Sequence, residues 1–332
     1  MQVGFKEGLS YDESRSNWDA DGPRPLKWSA WYPAVENAVA QPMDETSWFQ
    51  KRPVARDAKL LPTAKPYPLV LMSHGTGGVA GGLDWLGHRL AQRGFVALAV
   101  NHHGNTGTEP YQAEGFLCLW ERARDLSVLL DDTQWRKELD GQFEAHAHIA
   151  GFSAGAYAAM LLLGARVAYS QFEAANPIKS PLRGPKEFPD LADQIPILLE
   201  RNAVFREAWE RRSASYADDR FRSALLLAPG RSVLGFSRES LEQVGQPIRI
   251  VVGSGDTIAP AAECSSWLHR HVPNSELEIL KSGAGHYVFL PEPTALGMKE
   301  ASDVFPDADS VDRRRIHDHV SLVAARLFGG TA

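Results

Sequence analysis

The chain has 332 residues, 44% apolar and 23% charged, a make-up that supports a large buried core and excludes intrinsic disorder. Formal net charge is −6 without a basic stripe, which argues against a nucleic-acid partner, because phosphate binding needs clustered Lys and Arg. Cys118 and Cys264 are too few for a disulfide framework, and the longest apolar stretch, 154–165, falls short of the roughly 18 residues of a membrane span. Residues 1–10 lack a basic segment followed by an apolar core, so a cytoplasmic chain is expected.

Residues 1–25 are polar and punctuated by Gly22, Pro23 and Pro25, which predicts an extended N-terminal arm. A strand is predicted over 26–32. A connection rich in proline follows, through Pro42, Pro53, Pro62, Pro66 and Pro68, and its lack of periodicity predicts a long loop. Regular alternation then begins: a strand over 69–73, a helix over 82–92 closed by Gly94, and a strand over 95–100. The spacing of Leu117, Trp120, Leu126, Leu129 and Leu130 predicts an amphipathic helix over 114–130, before a buried strand over 147–151 and a helix from Ser153.

From 164 to 221 the alternation stops. A polar, proline-containing run over 177–189 leads into helical stretches over 191–212, read as a helical cap over the pocket. Strands return at 223–228, 248–254 and 277–280, and a helix is predicted over 311–328. The expected fold is α/β: a mainly parallel sheet flanked by helices, built from 26–163 and 222–332, with 164–221 as the cap insertion. Ligands of such sheets bind beyond the carboxyl ends of the strands, so the loops after strands matter most.

The strongest motif is Gly151-Phe152-Ser153-Ala154-Gly155, between an apolar strand and a helix rich in Ala and Leu. A turn this sharp strains the serine backbone and admits only small residues two before and two after it. It lifts the hydroxyl to the N-terminus of the following helix, where the Ala154 N–H is an expected oxyanion donor. A second donor should come from Ser73-His74-Gly75-Thr76-Gly77-Gly78, which follows the strand over 69–73; the Thr76 N–H is assigned. His74 is read as holding the shape of this loop.

A serine hydroxyl needs a base, and in this arrangement the partners follow in the order serine, acid, histidine. Asp256 follows the strand over 248–254, and His286, in Ser282-Gly283-Ala284-Gly285-His286-Tyr287, follows the strand over 277–280. Capping a helix near Ala261 is the alternative reading of Asp256, with Glu263 as substitute acid. Among 11 histidines, the nearest competitors to His286 are His102 and His103, expected to line the pocket with His74, Gly75, Phe152 and Tyr287. The pairs His146 and His148, His269 and His271, and His317 and His319 bring no carboxylate or cysteine signature, so neither a metal nor a cofactor is expected.

Arg24-Pro25-Leu26, Trp31-Tyr32-Pro33, Ser73-His74-Gly75, Asn101 to Asn105, Trp120 to Asp125, Gly151 to Gly155 and Gly283 to His286 together resemble the bacterial predicted dienelactone hydrolases. These are relatives of the platelet-activating-factor acetylhydrolases within the α/β-hydrolase superfamily. The resemblance implies a serine esterase with Ser153, Asp256 and His286 as triad and Thr76 and Ala154 as oxyanion donors. Dienelactone itself is not implied, since true dienelactone hydrolases carry cysteine where this chain has Ser153. The acetylhydrolase relatives place their acid after an earlier strand, where the stretch from Pro229 offers no convincing aspartate. The leading expectation is a carboxylesterase for small or short-chain esters acting through an acyl-enzyme. The alternatives are a lipase-like or polyester hydrolase, an amidase, or a binding protein that kept the fold without the chemistry.

Overall fold

The computed structural model describes residues 1–41, 47–173, 176, 184–281 and 283–329; Pro42, the first part of the run over 177–189 and Ser282 lie outside the described residues. The strands are β1 (Gln2–Ser16), β2 (Pro23–Ala34), β3 (Ala55–Arg56), β4 (Tyr67–Ser73), β5 (Val96–Asn101), β6 (Phe143–Phe152), β7 (Phe221–Leu227), β8 (Ile248–Gly253) and β9 (Ser275–Leu280). They form one sheet in the order β3-β1-β2-β5-β4-β6-β7-β8-β9. From β5 to β9 every pairing is parallel, while β2 runs antiparallel to both β1 and β5.

Successive side chains of a strand face opposite sides, so an unbroken apolar run fits a strand covered on both faces. In β4, Leu69 and Leu71 enter one hydrophobic core and Val70 and Met72 the other; β5 divides its residues in the same way. The helices are α1 (Asp84–Ala91), α2 (Ala113–Leu117), α3 (Glu121–Asp131), α4 (Thr133–Leu139), α5 (Ala154–Leu162), α6 (Ile195–Arg201), α7 (Ala203–Glu210), α8 (Arg238–Glu242), α9 (Ser265–His271), α10 (Ala295–Glu300) and α11 (Arg313–Leu327). α1 and α11 cover one face through Trp85, Leu86, Leu90, Val320 and Ala324. α3 and α5 cover the other through Ala123, Leu126, Leu129, Met160 and Leu161.

Three expectations are corrected. The N-terminal arm is a sheet strand, β1, whose Val3 and Phe5 are buried. Gly4 and Gly8 hid it from the sequence pattern: a Cβ at either position would sit 2.2 Å from the ring of Tyr32 or Trp28 on β2, so these glycines make room for two large rings. The helix expected over 114–130 is broken into α2 and α3 by the turn at 118–120. Among the described residues, the helices of the 164–221 insertion also do not border the cavity at Ser153. α7 spends its apolar face, Phe205, Ala208 and Trp209, on the body of the fold, where Trp209 meets the Trp120 ring edge-on and Trp120 Nε1 donates to the Ala208 carbonyl at 2.9 Å.

The chain leaves β4, forms β5 on one side, and returns to form β6 on the other. The carboxyl ends of β4 and β6 therefore diverge into the crevice where open α/β sheets place their ligands. The loop at 74–79 and the turn at Ser153 both open into that crevice.

Candidate active site

Ser153 stands between β6 and α5 with φ 54° and ψ −111°, a left-handed conformation that costs a non-glycine residue of order 1–3 kcal/mol. Its neighbours leave no alternative to glycine. A Cβ on Gly151 would lie 2.2 Å from the Gly155 carbonyl oxygen, and one on Gly155 would lie 1.9 Å from that of Ser73. The strained turn thus lets α5 begin tightly against β4 and leaves the Ser153 hydroxyl on the crevice.

His286 Nε2 is 3.1 Å from Ser153 Oγ, and His286 Nδ1 is 2.7 Å from Asp256 Oδ2. The carboxylate can only accept, so Nδ1 carries the ring proton and Nε2 is left to accept from the serine hydroxyl. Asp256 Oδ1 accepts from the Ile258 and Ala259 N–H groups at 3.0 and 2.7 Å. One carboxylate therefore closes a local turn with one oxygen and orients the imidazole with the other. Glu263, the substitute acid, pairs with Arg231. Phe152 packs against the His286 ring with centroids 5.0 Å apart, and Tyr287 meets it edge-on at 5.3 Å.

The Ala154 N–H opens α5, and the Thr76 N–H lies on the exposed loop after β4. Gly75, Thr76, Ser153 and Ala154 border one cavity of about 470 Å³. Residues 69–296 match the Alpha/beta hydrolase family. The chain belongs to the alpha/beta hydrolase family.

Among solved structures, this hydrolase is similar to the ferulic acid esterase of Streptomyces cinnamoneus, at 18% identity and a TM-score of 0.62, over 98% of this chain and 89% of that one. No curated protein matches it. At that identity the likeness speaks for the fold, including the nine-stranded, mostly parallel sheet.

The hydrolase cavity also holds residues that sequence reasoning missed: Trp48, Phe116, Leu119, Phe172, Arg231 and Ile258 among them. They come from five separated stretches without a shared motif, so only the folded arrangement collects them. The 164–221 insertion contributes Gln171, Phe172 and residues 184–187, and Glu300, Ala301, Asp303 and Val304 border the same cavity, with Lys186 3.9 Å from Asp303. Among the described residues, no helix is long and apolar enough to cross a membrane.

Three expected pocket residues lie elsewhere. His74 and His102 are buried, and His103 is held by Glu109 at 2.8 Å and by the Trp18 N–H at 3.3 Å. His102 donates from Nδ1 to Asp125 Oδ2 at 2.9 Å and accepts from the Ser73 hydroxyl at 2.8 Å. Asp125 also receives Arg15 and Arg24. Burial first, then the nearby Arg122 charge, pushes His102 down to about 4; Arg24 and Arg15 hold Asp125 well below the usual carboxylate range against its burial. The strand ending at β5 carries His102 and His103 toward the crevice, as expected, but hydrogen-bonding demand inside the protein claims both rings.

Proposed function

We propose that this hydrolase is a serine carboxylesterase cleaving small or short-chain esters through an acyl-enzyme. The observation that carries the reading is the unbroken relay from Ser153 Oγ through His286 to Asp256, at 3.1 and 2.7 Å, opening on a cavity of about 470 Å³. Ser153 Oγ attacks the ester carbonyl carbon while its proton passes to His286 Nε2. The carbonyl π pair moves onto oxygen, where the Thr76 and Ala154 N–H groups meet the developing charge. The intermediate collapses by breaking the bond to the alcohol, and His286 returns the proton to the leaving oxygen. Water, deprotonated by the same imidazole, then attacks the acyl-enzyme and frees the acid and Ser153.

Cavity shape supports the substrate class. Phe116, Leu119, Phe152 and Phe172 offer apolar and aromatic walls, and the volume falls within the range of small-molecule sites, about 300–1,000 Å³. The name of the structural neighbour, a ferulic acid esterase, adds support for ester chemistry on this fold and places aromatic acyl esters in the first panel to be tried.

The test is pre-steady-state hydrolysis of an aryl acetate, compared with a long-chain acyl ester and an anilide. A burst of phenol equal to the enzyme concentration, with the short ester preferred, is expected. No burst and no turnover on any of the three would overturn the reading; preference for the long chain or the anilide would move it to a lipase or an amidase.

A further inference from the structure

The loop from His74 to Gly78 is held from below by an unusual device. Arg122, fully buried on α3, donates from Nη1 to the His74 carbonyl at 2.6 Å and from Nη2 to the Gly75 carbonyl at 3.4 Å. Among the described residues it forms no ion pair, and its Nε has no partner. A buried guanidinium with Asp125 nearby but no carboxylate in direct contact is a costly residue to keep, and what it holds is this loop. His74 acts on the same carbonyl: its Nε2 accepts from the His102 N–H at 3.2 Å, which puts the ring proton on Nδ1, and Nδ1 donates to the Gly75 oxygen at 2.7 Å. The Gly78 N–H adds a third donor at 3.1 Å.

Three of these donors, Arg122 Nη2, His74 Nδ1 and the Gly78 N–H, converge on the Gly75 oxygen, while the shorter Arg122 bond holds the preceding carbonyl of His74; the peptide bond makes the consequence definite. The Gly75 carbonyl and the Thr76 N–H belong to one planar trans unit, so they point in opposite directions. Fixing the oxygen toward the interior turns the N–H outward to the cavity, and among the described residues the Thr76 N–H has no protein partner. A cationic donor on the carbonyl also polarises that peptide and strengthens its N–H as a donor.

We propose that Arg122 is a positioning residue for ester hydrolysis: with the imidazole of His74 it fixes and polarises the Gly75–Thr76 peptide, so that the Thr76 N–H is aimed at the oxyanion before substrate arrives. The proposal rests on the serine esterase reading above. It separates Arg122 from the neighbouring Arg15 and Arg24, whose charges are taken up by Asp125 and its partners.

The test uses the full chain with Arg122→Met, Arg122→Lys, His74→Asn and His74→Gln. A fluorophosphonate counts competent sites, and kcat per site, KM and inhibition by a trifluoromethyl ketone, which forms a tetrahedral oxyanion adduct, are measured. In Arg122→Met, kcat per labelled site is expected to fall by ~10- to 100-fold, with KM within about twofold, and ketone affinity to fall in step. Arg122→Lys should recover part of both. His74→Asn keeps a donor near the Nδ1 position and should stay closer to wild type than His74→Gln, which keeps only the distal group. Fewer labelled sites with kcat per site and ketone affinity unchanged would mean a merely structural role and overturn the proposal. Should Arg122→Met fail to fold, the histidine pair decides, and equal rates for Asn and Gln overturn it. A wild type that takes no label would instead overturn the serine esterase reading itself.

Discussion

Two serine–imidazole–carboxylate relays stand within this molecule, and their distances barely differ. Ser153, His286 and Asp256 are linked at 3.1 and 2.7 Å; Ser73, His102 and Asp125 are linked at 2.8 and 2.9 Å. What differs is everything around them. Ser153 has a strained backbone at the start of α5 and borders the cavity, whereas Ser73 ends a regular strand and is fully buried. Among the described residues, the Ala154 and Thr76 N–H groups, which border the same cavity, have no protein partner. Around the inner relay the guanidinium groups are turned to other partners, Arg15 and Arg24 to Asp125 and Arg122 to the loop carbonyls. Proton-relay geometry alone does not make a nucleophile; access for a carbonyl carbon and waiting donors for its oxygen must accompany it.

The sharpest way to break this contrast is to delete each hydroxyl. Ser153→Ala should lower kcat on an aryl acetate by ~10⁴-fold or more, and adding His286→Ala should change little further, because the two act as one unit. Ser73→Ala should retain activity within about tenfold while losing about 1–3 kcal/mol of stability in urea, since His102 Nε2 is left buried without its donor. Comparable losses of kcat in the two alanine variants would erase the distinction.

The carboxylates extend the test from rate to stability. Asp256→Asn should cost kcat about 10³- to 10⁴-fold by misplacing the ring proton of His286, with the fold retained. Asp125→Asn should instead destabilise by about 3–5 kcal/mol, because it strands the buried Arg24 and takes from Arg15 one of its three carboxylates. Urea midpoints and kcat measured on both variants would separate the roles, and a stable, inactive Asp125→Asn would contradict them.

Acid should act on the fold through its buried histidines. Burial pushes His88, His102 and His148 down to about 4 from an unfolded value of 6.5. Between those values the unfolded chain binds more protons than the native one, so stability is complete above 6.5 and falls as the pH drops toward 4. The depressed Asp125 adds loss only at lower pH, below the unfolded carboxylate value. A urea midpoint that declines steadily from pH 7 to 4.5 is expected; a flat midpoint over that range would show that these rings are not held neutral. The smallest effect sharpens the sheet edge: Gly8→Val should cost about 1–3 kcal/mol through collision with the Trp28 ring, with kcat unchanged.

Legibility in the sequence followed the same divide. The parallel sheet was readable because β4 and β5 are apolar on both faces, and the turn at Ser153 because its two glycines are sterically compulsory. Asp256 and His286 were findable from strand-end position and chain order, and the structure brings both to Ser153. β1 was not readable, since Gly4 and Gly8 gave no apolar period and their purpose lies in rings on another strand. The cavity walls were not readable either, because Trp48, Phe116, Phe172 and Ile258 become neighbours only after folding. His74 and His102 illustrate the deepest limit. A histidine beside an active-site loop looks the same in sequence whether its nitrogens face substrate or a carbonyl, and here hydrogen bonds to Gly75, Asp125 and Ser73 take them.

Mapping the adduct of a fluorophosphonate by mass spectrometry tests the central claim most directly. Wild type and Ser73→Ala should each carry one phosphonyl group on the peptide containing Ser153, and Ser153→Ala none. An adduct on any other residue, or label that persists in folded Ser153→Ala, would contradict the assignment of Ser153 as the nucleophile.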